Sequence, residues 1–587
     1  TTPTQNEMLN GRHCIARVEG RLGHRLRVLG AVRNNPAKPI LWRGRVSYKV
    51  AFRGTLATID PELLVFREQT RSLASSSRRP KIHPLANFPD DEDHGDVLDD
   101  YPETTRLSEH EDYEGHEADE DADRNNLARK MWIAARRGVR SEDVWARYTQ
   151  RVLMTGALLG PRDVTLIFLS YARIKYRDVK VLNFLSPFVL TQLHHFSTFE
   201  LVLLLNAHKK LEYERIDTIK VLLGVICDRY TEWNAKHIAL TANAVAHFYI
   251  YQPAFWKRVS IMLPKVVWHM NALELSNLVS AMARVDNRHG RSLLLLARMS
   301  RRCAENNLFS QETLAVAINS FAKLDFNDTR LAVAFEGAAM VKLDKALELG
   351  QEYRKTSLKD VDVFDVQALV LILHSFVCFT NGSDEAVQKL LTLINWSKNE
   401  LSPFQRRTLK TTCILLRRER PALCRSLPHD VRRTMQSFEE NAPEVPTNVS
   451  RWQRELKTTL LRMDISVELK AVVDDQILDI YLPSSNAVVY AAGPFAHYIN
   501  STNRTAYSKL HQRLLEADGY TCLVVPYYEW SELKTEEDKM VYLWSLGRRA
   551  AGQSKDERIE DALPSSDMQT SDMNDLEEPS GRRQLVR

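Results

Sequence analysis

Apolar residues recur every three to four positions through most of the chain between Asn125 and residue 440, and polar turn signals interrupt this pattern at regular intervals. This spacing gathers the apolar side chains on one face of a helix, so the pattern predicts a long series of amphipathic helices. Six stretches within it resemble one another: LSYARIKYRD, NAHKKLEYER, AVAHFYIYQP, SAMARVDNRH, NSFAKLDFND and HSFVCFTNGS. The sequence therefore predicts an internal helical repeat.

The apolar residue that follows the basic one serves as a reference point in each stretch. The six reference points are Ile174, Leu211, Phe248, Val285, Leu324 and Phe379, at steps of 37, 37, 37, 39 and 55 residues. A period near 37 with two helices per unit is typical of an α-solenoid, in which each helical pair buries its apolar face against the next pair. The long last step contains an insertion at residues 348–365, which we predict to be a loop.

Five positions before these reference points the chain carries a column of mostly polar residues: Leu169, Asn206, Asn243, Ser280, Asn319 and His374. Two interpretations are open for the amides. They bind the base edges of RNA, as side chains of repeat RNA-binding proteins do, or they form hydrogen bonds between neighbouring helices and never contact RNA. Basic candidates for RNA contact lie one or two positions before the reference points: Arg173, Lys209, Lys210 and Lys323.

A strongly basic segment, residues 402–435, follows the last repeat. Its candidates for phosphate contact are Arg406, Arg407, Lys410, Arg417 and Arg418. Cations in this number along a helix can neutralise the phosphates of a nucleic acid. The alternative is a solvated end face of the helical array.

The pattern changes after the Pro-containing segment at residues 440–448, which we predict to be a linker. Beyond it, DQILDIYLP and NAVVYAAGP predict a strand hairpin with a Pro-Ser-Ser turn, and a helix, a strand within YTCLVVPYYEW and a second helix follow. This alternation is typical of a small α/β domain. We therefore expect a basic segment at residues 1–89, an acidic linker at 90–124, an α-solenoid at 125–440, a linker at 441–450, an α/β domain at 451–550 and a disordered tail at 551–587.

Charge is distributed very unevenly within this organisation. The formal net charge is +5, yet residues 90–123 carry seventeen acids against one base, a net charge of about −16. Residues 1–89 carry about +11 and residues 551–587 about −4, so residues 124–550 carry about +14. A basic body favours a polyanion such as RNA. The acidic segment is a solvating linker or, alternatively, a mimic of RNA that screens the basic surface.

Further features concern the compartment. The first sixty residues are rich in Arg and poor in acid, which is typical of a mitochondrial or plastid transit segment, the alternative being a basic arm that contacts RNA. No apolar run approaches the length of a membrane span. The seven cysteines form no metal-type pair, so we expect buried, reduced thiols.

Two resemblances follow from these motifs. The repeat period resembles the heptatricopeptide and octotricopeptide repeats of organellar RNA-binding proteins, over roughly residues 160–400. Residues 475–547, and above all VPYYEW at Val525–Trp530, resemble the RAP domain. That resemblance implies a restriction-endonuclease-like fold whose Glu-Val-Asp-Gly-Pro motif is here Tyr490, Ala491, Ala492, Gly493 and Pro494. Asp479 matches the family's first Asp and is the residual nuclease-like acid. Lys509 and Arg513 on the next predicted helix are candidates for phosphate contact or, alternatively, part of an exposed polar helix face.

A nuclease of this type needs two or three carboxylates to hold Mg²⁺, because hard cations take oxygen ligands. With both acids of the motif strand replaced, we expect no catalysis and no metal or other cofactor. The resemblance implies a non-catalytic RNA-binding protein of the mitochondrial matrix, or alternatively of a plastid or apicoplast, with RNA and mitoribosomal proteins as partners and no membrane association. Two other functions remain open: a metal-dependent RNA endonuclease using Asp479, Lys509 and Glu529, and a helical scaffold that binds proteins.

Overall fold

The computed structural model describes residues 127–156, 159–350, 363–380, 382–439, 449–473, 476–499 and 501–552. The predicted N-terminal basic segment, the acidic linker, the linker at 441–448 and nearly all of the predicted tail lie outside these residues. Two compact units are present, and each is described by itself. The first contains residues 127–439 together with Phe495–His511, and the second contains 449–494 and 512–552.

Helices in two layers make up the first unit. Layer A consists of α1 (Leu127–Arg136), α3 (Pro161–Arg173), α5 (Thr198–Lys210), α7 (Ala235–His247), α9 (Ala272–Arg284), α11 (Gln311–Lys323), α13 (Val366–Ser375) and α15 (Pro403–Glu419). Layer B consists of α2 (Glu142–Thr155), α4 (Val179–Thr191), α6 (Ile216–Asp228), α8 (Pro253–Val266), α10 (Gly290–Glu305), α12 (Thr329–Leu349) and α14 (Asp384–Trp396). Each A helix packs on the next A helix, and each B helix packs on the next B helix. This is the predicted solenoid.

Two more helices, α16 (Pro421–Ser426) and α17 (His429–Glu439), close the series, and α17 packs on both α15 and α14. The array therefore extends beyond the six predicted repeats at both ends, because α1 and α15 occupy A positions whose sequences lack the repeated motif. Residues 351–362 of the predicted insertion lie outside the described residues, and its first two residues, Glu348 and Leu349, continue helix α12.

The repeated motif encodes the end of each A helix. Five of the six reference points, Ile174 to Leu324, directly follow the last helical residue. The next residue is left-handed in every case, with φ between 48° and 56°: Lys175, Glu212, Tyr249, Asp286 and Asp325. The residue after it donates its N–H to a carbonyl oxygen five positions back, at 2.9–3.1 Å. This Schellman-type ending stops the helix and turns the chain into the B layer.

N-terminal caps complete the definition of the A helices. Ser197, Asn271 and Ser402 accept a hydrogen bond from the backbone N–H three positions on, and the side chains of Glu200, Glu274 and Gln405 close the capping box. Each cap satisfies N–H groups that the helix itself leaves unbonded and contributes about 1 kcal/mol. The last reference point, Phe379, lies instead in a π-helical turn, Phe376–Thr380.

The second unit is a four-stranded sheet with helices. Its strands are β1 (Glu468–Val473), β2 (Gln476–Leu482), β3 (Ala487–Ala492) and β4 (Thr521–Pro526), in the order β1-β2-β3-β4. Strand β3 runs antiparallel to β2 and parallel to β4, with Val489 opposite Leu523. The helices are α18 (Arg451–Arg462), α20 (Tyr527–Glu532) and α21 (Glu536–Gly552), and α19 (Ala506–Ala517) continues into this unit from the first.

The predicted hairpin and its turn at Pro483–Ser485 are confirmed, and helix α19 is followed by Gly519 with a φ of +83°. Strand β1 was not predicted. The predicted strand within YTCLVVPYYEW is β4, which ends at Pro526, and the Tyr-Tyr-Glu-Trp part of that stretch forms helix α20. Within the described part of the chain no helix is long and apolar enough to cross a membrane. No disulfide joins the six described cysteines, four of which are buried.

Candidate nucleic-acid interface

Five consecutive A helices end on a basic residue. They are Arg173, Lys210, His247, Arg284 and Lys323, which we call the basic row. Because adjacent A helices pack side by side, their last residues follow one another along one end of the layer. One nitrogen of Arg284 lies 3.5 Å from Nδ1 of His247, so two successive members are in contact.

The structure thus joins three predicted candidates, Arg173, Lys210 and Lys323, with two that the sequence analysis missed. His247 and Arg284 occupy the same column of the repeat, so the alignment on the reference points contained the signal that identifies them. The first four members are half-buried, whereas Lys323 is only 7% exposed. Lys209, the remaining candidate of this group, is also buried.

The polar column lies inside the A layer. Asn206, Asn243, Ser280 and Asn319 are all buried, with exposed fractions between 1% and 7%. The amide of Asn243 donates to Oδ1 of Asn277 on the next A helix at 3.0 Å. His374, in the same column, lies 2.9 Å from the hydroxyl of Thr412 on helix α15. These contacts support the interpretation that the column links neighbouring helices.

A loop and half-helix from the RAP-like region pack on the helical array. Residues Phe495–His511, which we call the docked segment, belong to the first unit. The segment is held together by hydrogen bonds of 2.8 Å from Thr505 N to Ala496 O and 2.9 Å from Tyr498 N to Asn503 O. These bonds close a compact loop ahead of helix α19.

Three polar contacts fix the docked segment to the ends of two A helices. The hydroxyl of Tyr498 donates to the carbonyl oxygen of Lys323 at 2.7 Å. The backbone N–H of Ile499 donates to the carbonyl oxygen of Asp286 at 2.9 Å. Nζ of Lys509 lies 2.6 Å from Oδ2 of Asp325. Lys509, a predicted phosphate ligand, is therefore already paired with a carboxylate, and Arg513 lies half-buried one turn further along α19.

Aromatic rings cover the end of the basic row. Nζ of Lys323 lies 5.6 Å from the ring centre of Tyr507, which also contacts Phe379 at 5.3 Å and stacks on His374 at 6.2 Å. Burial, and then repulsion by Arg284, lowers the pKa of Lys323 to about 7, although Asp286 opposes this effect. Burial likewise raises the pKa of Asp286 to about 7. Lys323 is thus removed from solvent together with its neighbours.

The candidate residues of the basic segment after the repeats differ in how far they are exposed. Arg406 donates to the carbonyl oxygens of Lys398 at 2.8 Å and Leu401 at 3.3 Å, so it holds the start of α15. The other predicted candidates point outward to different degrees: Arg407, Arg417 and Arg418 are exposed, and Lys410 is half-buried. On α17, His429, Arg432, Arg433 and Gln436 line an open cavity of about 390 Å³.

The nuclease-like position is occupied by an ion pair. Asp479 on β2 contacts Nζ of Lys470 on β1, and both side chains are less than one-fifth exposed. Asp474 and Asp475 lie outside the described residues, and in the part of the chain that the structure does describe, no three His, Cys, Asp or Glu residues are grouped as metal ligands would be. A site of this composition fits a salt bridge rather than Mg²⁺.

Two residues of the VPYYEW stretch, Glu529 and Trp530, have structural roles. Trp530 is 5% exposed and belongs to the core of the second unit, where its indole N–H lies 3.3 Å from Glu455. Glu529 accepts a hydrogen bond of 2.6 Å from the hydroxyl of Tyr542. Both side chains therefore serve the packing of the second unit.

Comparison with known families gives two matches. Residues 131–392, from α1 into α14, match the RNA-editing substrate-binding complex 6 protein family, and residues 491–546 match the RAP domain. No curated protein matches the chain. The two matches support an RNA-binding role and cover the array and the module that the sequence predicts. The chain is a RAP-domain protein with a region of helical repeats.

Proposed function

We propose that this protein is a non-catalytic RNA-binding protein of the mitochondrial matrix, which binds or stabilises organellar RNA and contributes to the structure or assembly of the mitoribosome or to RNA processing. One observation carries the proposal. Residues 131–392, which form most of the stacked helical array, match a family whose name refers to an RNA-editing substrate-binding complex. The array supplies a repeated surface, and its basic row supplies one basic residue at every repeat from α3 to α11.

The charge of the chain agrees with this role. About +14 of formal charge lies on residues 124–550, and exposed Arg407, Arg417 and Arg418 extend the cationic surface beyond the repeats. Attraction of phosphates to such a surface is independent of base sequence, and it weakens as the salt concentration rises because counterion release then contributes less. The Arg-rich, acid-poor first sixty residues support mitochondrial import, and ribosomal RNA is the first candidate target.

The non-catalytic character is supported by the chemistry of the RAP-like motif. Ala491 and Ala492 stand where the family has a Val and an acid, Tyr490 stands where it has the other acid, and Asp479 is engaged by Lys470. A restriction-endonuclease-like site that lacks these carboxylates has no ligands with which to hold a metal ion and its attacking water.

One observation favours a second function, a scaffold for protein partners. Five B helices, α4 to α12, each expose one or two large apolar side chains: Val179, Phe184, Ile216, Val221, Ile261, Leu294, Val333 and Val341. Apolar side chains that recur from repeat to repeat along layer B can join into a patch that binds another protein. This role is compatible with RNA binding on the other layer.

Crosslinking in cells tests the proposal directly. The full-length tagged protein is irradiated, its location is imaged, and the RNA and peptides joined by crosslinks are sequenced. We expect mitochondrial reads concentrated on a ribosomal RNA region. Reads from cytosolic transcripts would overturn the localisation, and recovery of proteins without RNA would leave the scaffold function.

Binding of the purified protein to single-stranded RNA provides the second test. The variant Arg432→Ala/Arg433→Ala removes two cations of the α17 cavity, and Arg330→Ala/Lys345→Ala removes two exposed cations of helix α12 as the matched control. We expect the α17 variant to weaken binding by more than the control. Absence of any RNA binding by the unmodified protein would refute the proposed function.

A further inference from the structure

The basic row and the docked segment meet at one place. Tyr498 and Tyr507 of the docked segment contact Lys323, the fifth member of the row, while Ile499 binds the carbonyl oxygen of Asp286, two residues after the fourth member. The row is therefore half-buried from Arg173 to Arg284 and covered at Lys323.

The series of basic residues also comes to an end near the docked segment. In the next repeat the residue before the reference point is Cys378, which is buried, so the series of basic residues stops where the docked segment packs. The row is thus covered at its fifth member, and the basic residues stop one repeat later.

We propose that the basic row is a track for the RNA backbone, with one phosphate per repeat from Arg173 to Arg284, and that the docked segment closes this track beside Arg284. The inference rests on the proposed RNA-binding function and adds the path and its boundary. Repeat proteins that take one nucleotide per helical repeat provide the matching spacing, because each A helix contributes one row member.

The geometry carries this assignment in three respects. The row members are the last residues of parallel, adjacent helices, so their side chains leave the layer at the same end. Contact between Arg284 and His247 shows that neighbouring members lie close enough to serve one continuous chain of phosphates. The docked segment is anchored by Tyr498, Ile499 and Lys509, so RNA that follows the row meets a fixed obstacle after Arg284.

Basic residues at helix C-termini also stabilise the helices themselves by compensating the helix dipole. The test must therefore separate RNA contact from folding. Salt dependence of binding does so, because the slope of log affinity against log salt falls by about 0.7 for each phosphate of a single strand that the protein no longer neutralises. A purely structural cation changes the unfolding midpoint and leaves this slope unchanged.

The experiment compares full-length variants on a single-stranded RNA at several salt concentrations. Arg173→Ala/Lys210→Ala/Arg284→Ala removes three row members. Lys220→Ala/Lys257→Ala/Lys265→Ala removes three exposed lysines from B helices α6 and α8 and serves as the charge-matched control. We expect the slope to fall by about 2 in the row variant and to stay unchanged in the control. Equal slopes in the two variants would overturn the track.

A second pair of variants tests the boundary. Arg284→Ala is expected to reduce the slope by about 0.7, whereas Lys323→Met, one repeat further along, leaves the slope unchanged because the docked segment covers that side chain. An equal reduction in both variants would show that the track continues past the docked segment and would overturn the boundary. Failure of the unmodified protein to bind RNA would instead refute the proposed function, so the two failures are distinguishable.

Discussion

The hydroxyl of Tyr498 donates a hydrogen bond of 2.7 Å to the carbonyl oxygen of Lys323, 175 residues earlier in the chain. The hydroxyl oxygen of Tyr498 also accepts a hydrogen bond of 3.0 Å from the backbone N–H of Ala506. Tyr498 is only 2% exposed, so one buried hydroxyl satisfies both the end of helix α11 and the start of helix α19. The docked segment is thereby part of the packing of the repeats.

Removing this hydroxyl tests its contribution to folding. Tyr498→Phe keeps the ring but leaves the buried carbonyl oxygen of Lys323 and the N–H of Ala506 without their partner. An unsatisfied buried polar group costs about 1–3 kcal/mol, so we expect the free energy of unfolding to fall by about that amount. Urea denaturation of the full-length protein measures it. The control is Tyr249→Phe, which alters a half-exposed tyrosine and should change stability by less than about 0.5 kcal/mol. Equal effects in the two variants would contradict the role assigned to Tyr498.

Sequence alone predicts the repeats well, because the same short motif recurs at the end of successive A helices. The reference points Ile174 to Leu324 coincide with the Schellman-type endings, where sequence and local geometry are directly linked. The docked segment was not predictable in this way. Two of its three polar contacts use backbone carbonyl oxygens, of Asp286 and Lys323, which leave no trace in residue type.

The other differences have similar causes. Strand β1 lies at the edge of the sheet, its Lys470 has a φ of 53°, and only its pairing with β2 defines it. For the polar column, base contact and hydrogen bonding between neighbouring helices were both open interpretations, because an amide can bond to either partner. Tertiary packing decides between such alternatives, and periodicity contains no information about it.

Asn243 provides a test of the polar column. Asn243→Ala removes the hydrogen bond to Asn277, and we expect the free energy of unfolding to fall by about 1 kcal/mol. A double-mutant cycle with Asn277→Ala isolates the coupling between the two amides. RNA selected from a random pool should show the same base preference for the variant and the unmodified protein. A changed preference at one position, without loss of stability, would instead support base contact by Asn243.

His208 makes stability depend on pH. Its ring is 1% exposed and Nδ1 lies 2.8 Å from the carbonyl oxygen of Leu204, while burial lowers its pKa from 6.5 to about 4. Above pH 6.5 the ring is neutral in both folded and unfolded chains. Between pH 6.5 and 4 the unfolded chain binds the proton first, so stability falls with falling pH, by up to about 3 kcal/mol from this residue.

The pH effect is measured by urea denaturation at several pH values between 7 and 4. His208→Gln keeps an N–H donor and removes the titrating ring, so we expect a less steep loss of stability in acid, even if the variant is less stable at pH 7. Burial lowers the pKa of His374 to about 3, and that contribution remains in both proteins and cancels in the comparison. His429→Gln, at an exposed position, is the control and should reproduce the original pH dependence. An unchanged slope for His208→Gln would refute this assignment.

The Lys470–Asp479 ion pair allows a test of whether Asp479 is a structural or a catalytic carboxylate. Both side chains are more than four-fifths buried, so Asp479→Asn leaves a lysine without its counter-charge, and we expect a loss of stability of about 1–3 kcal/mol. Because Lys470 already occupies the carboxylate, Mg²⁺ should not raise the unfolding midpoint of the unmodified protein, as a ligand bound to the folded state would. Glu468→Gln, at an exposed position on the same strand β1, is the matched control and should leave stability unchanged within about 0.5 kcal/mol.

Labelled RNA incubated with the protein should stay intact with Mg²⁺ or with a chelator. A midpoint raised by Mg²⁺ and RNA cleavage that both disappear in Asp479→Asn would restore the nuclease function.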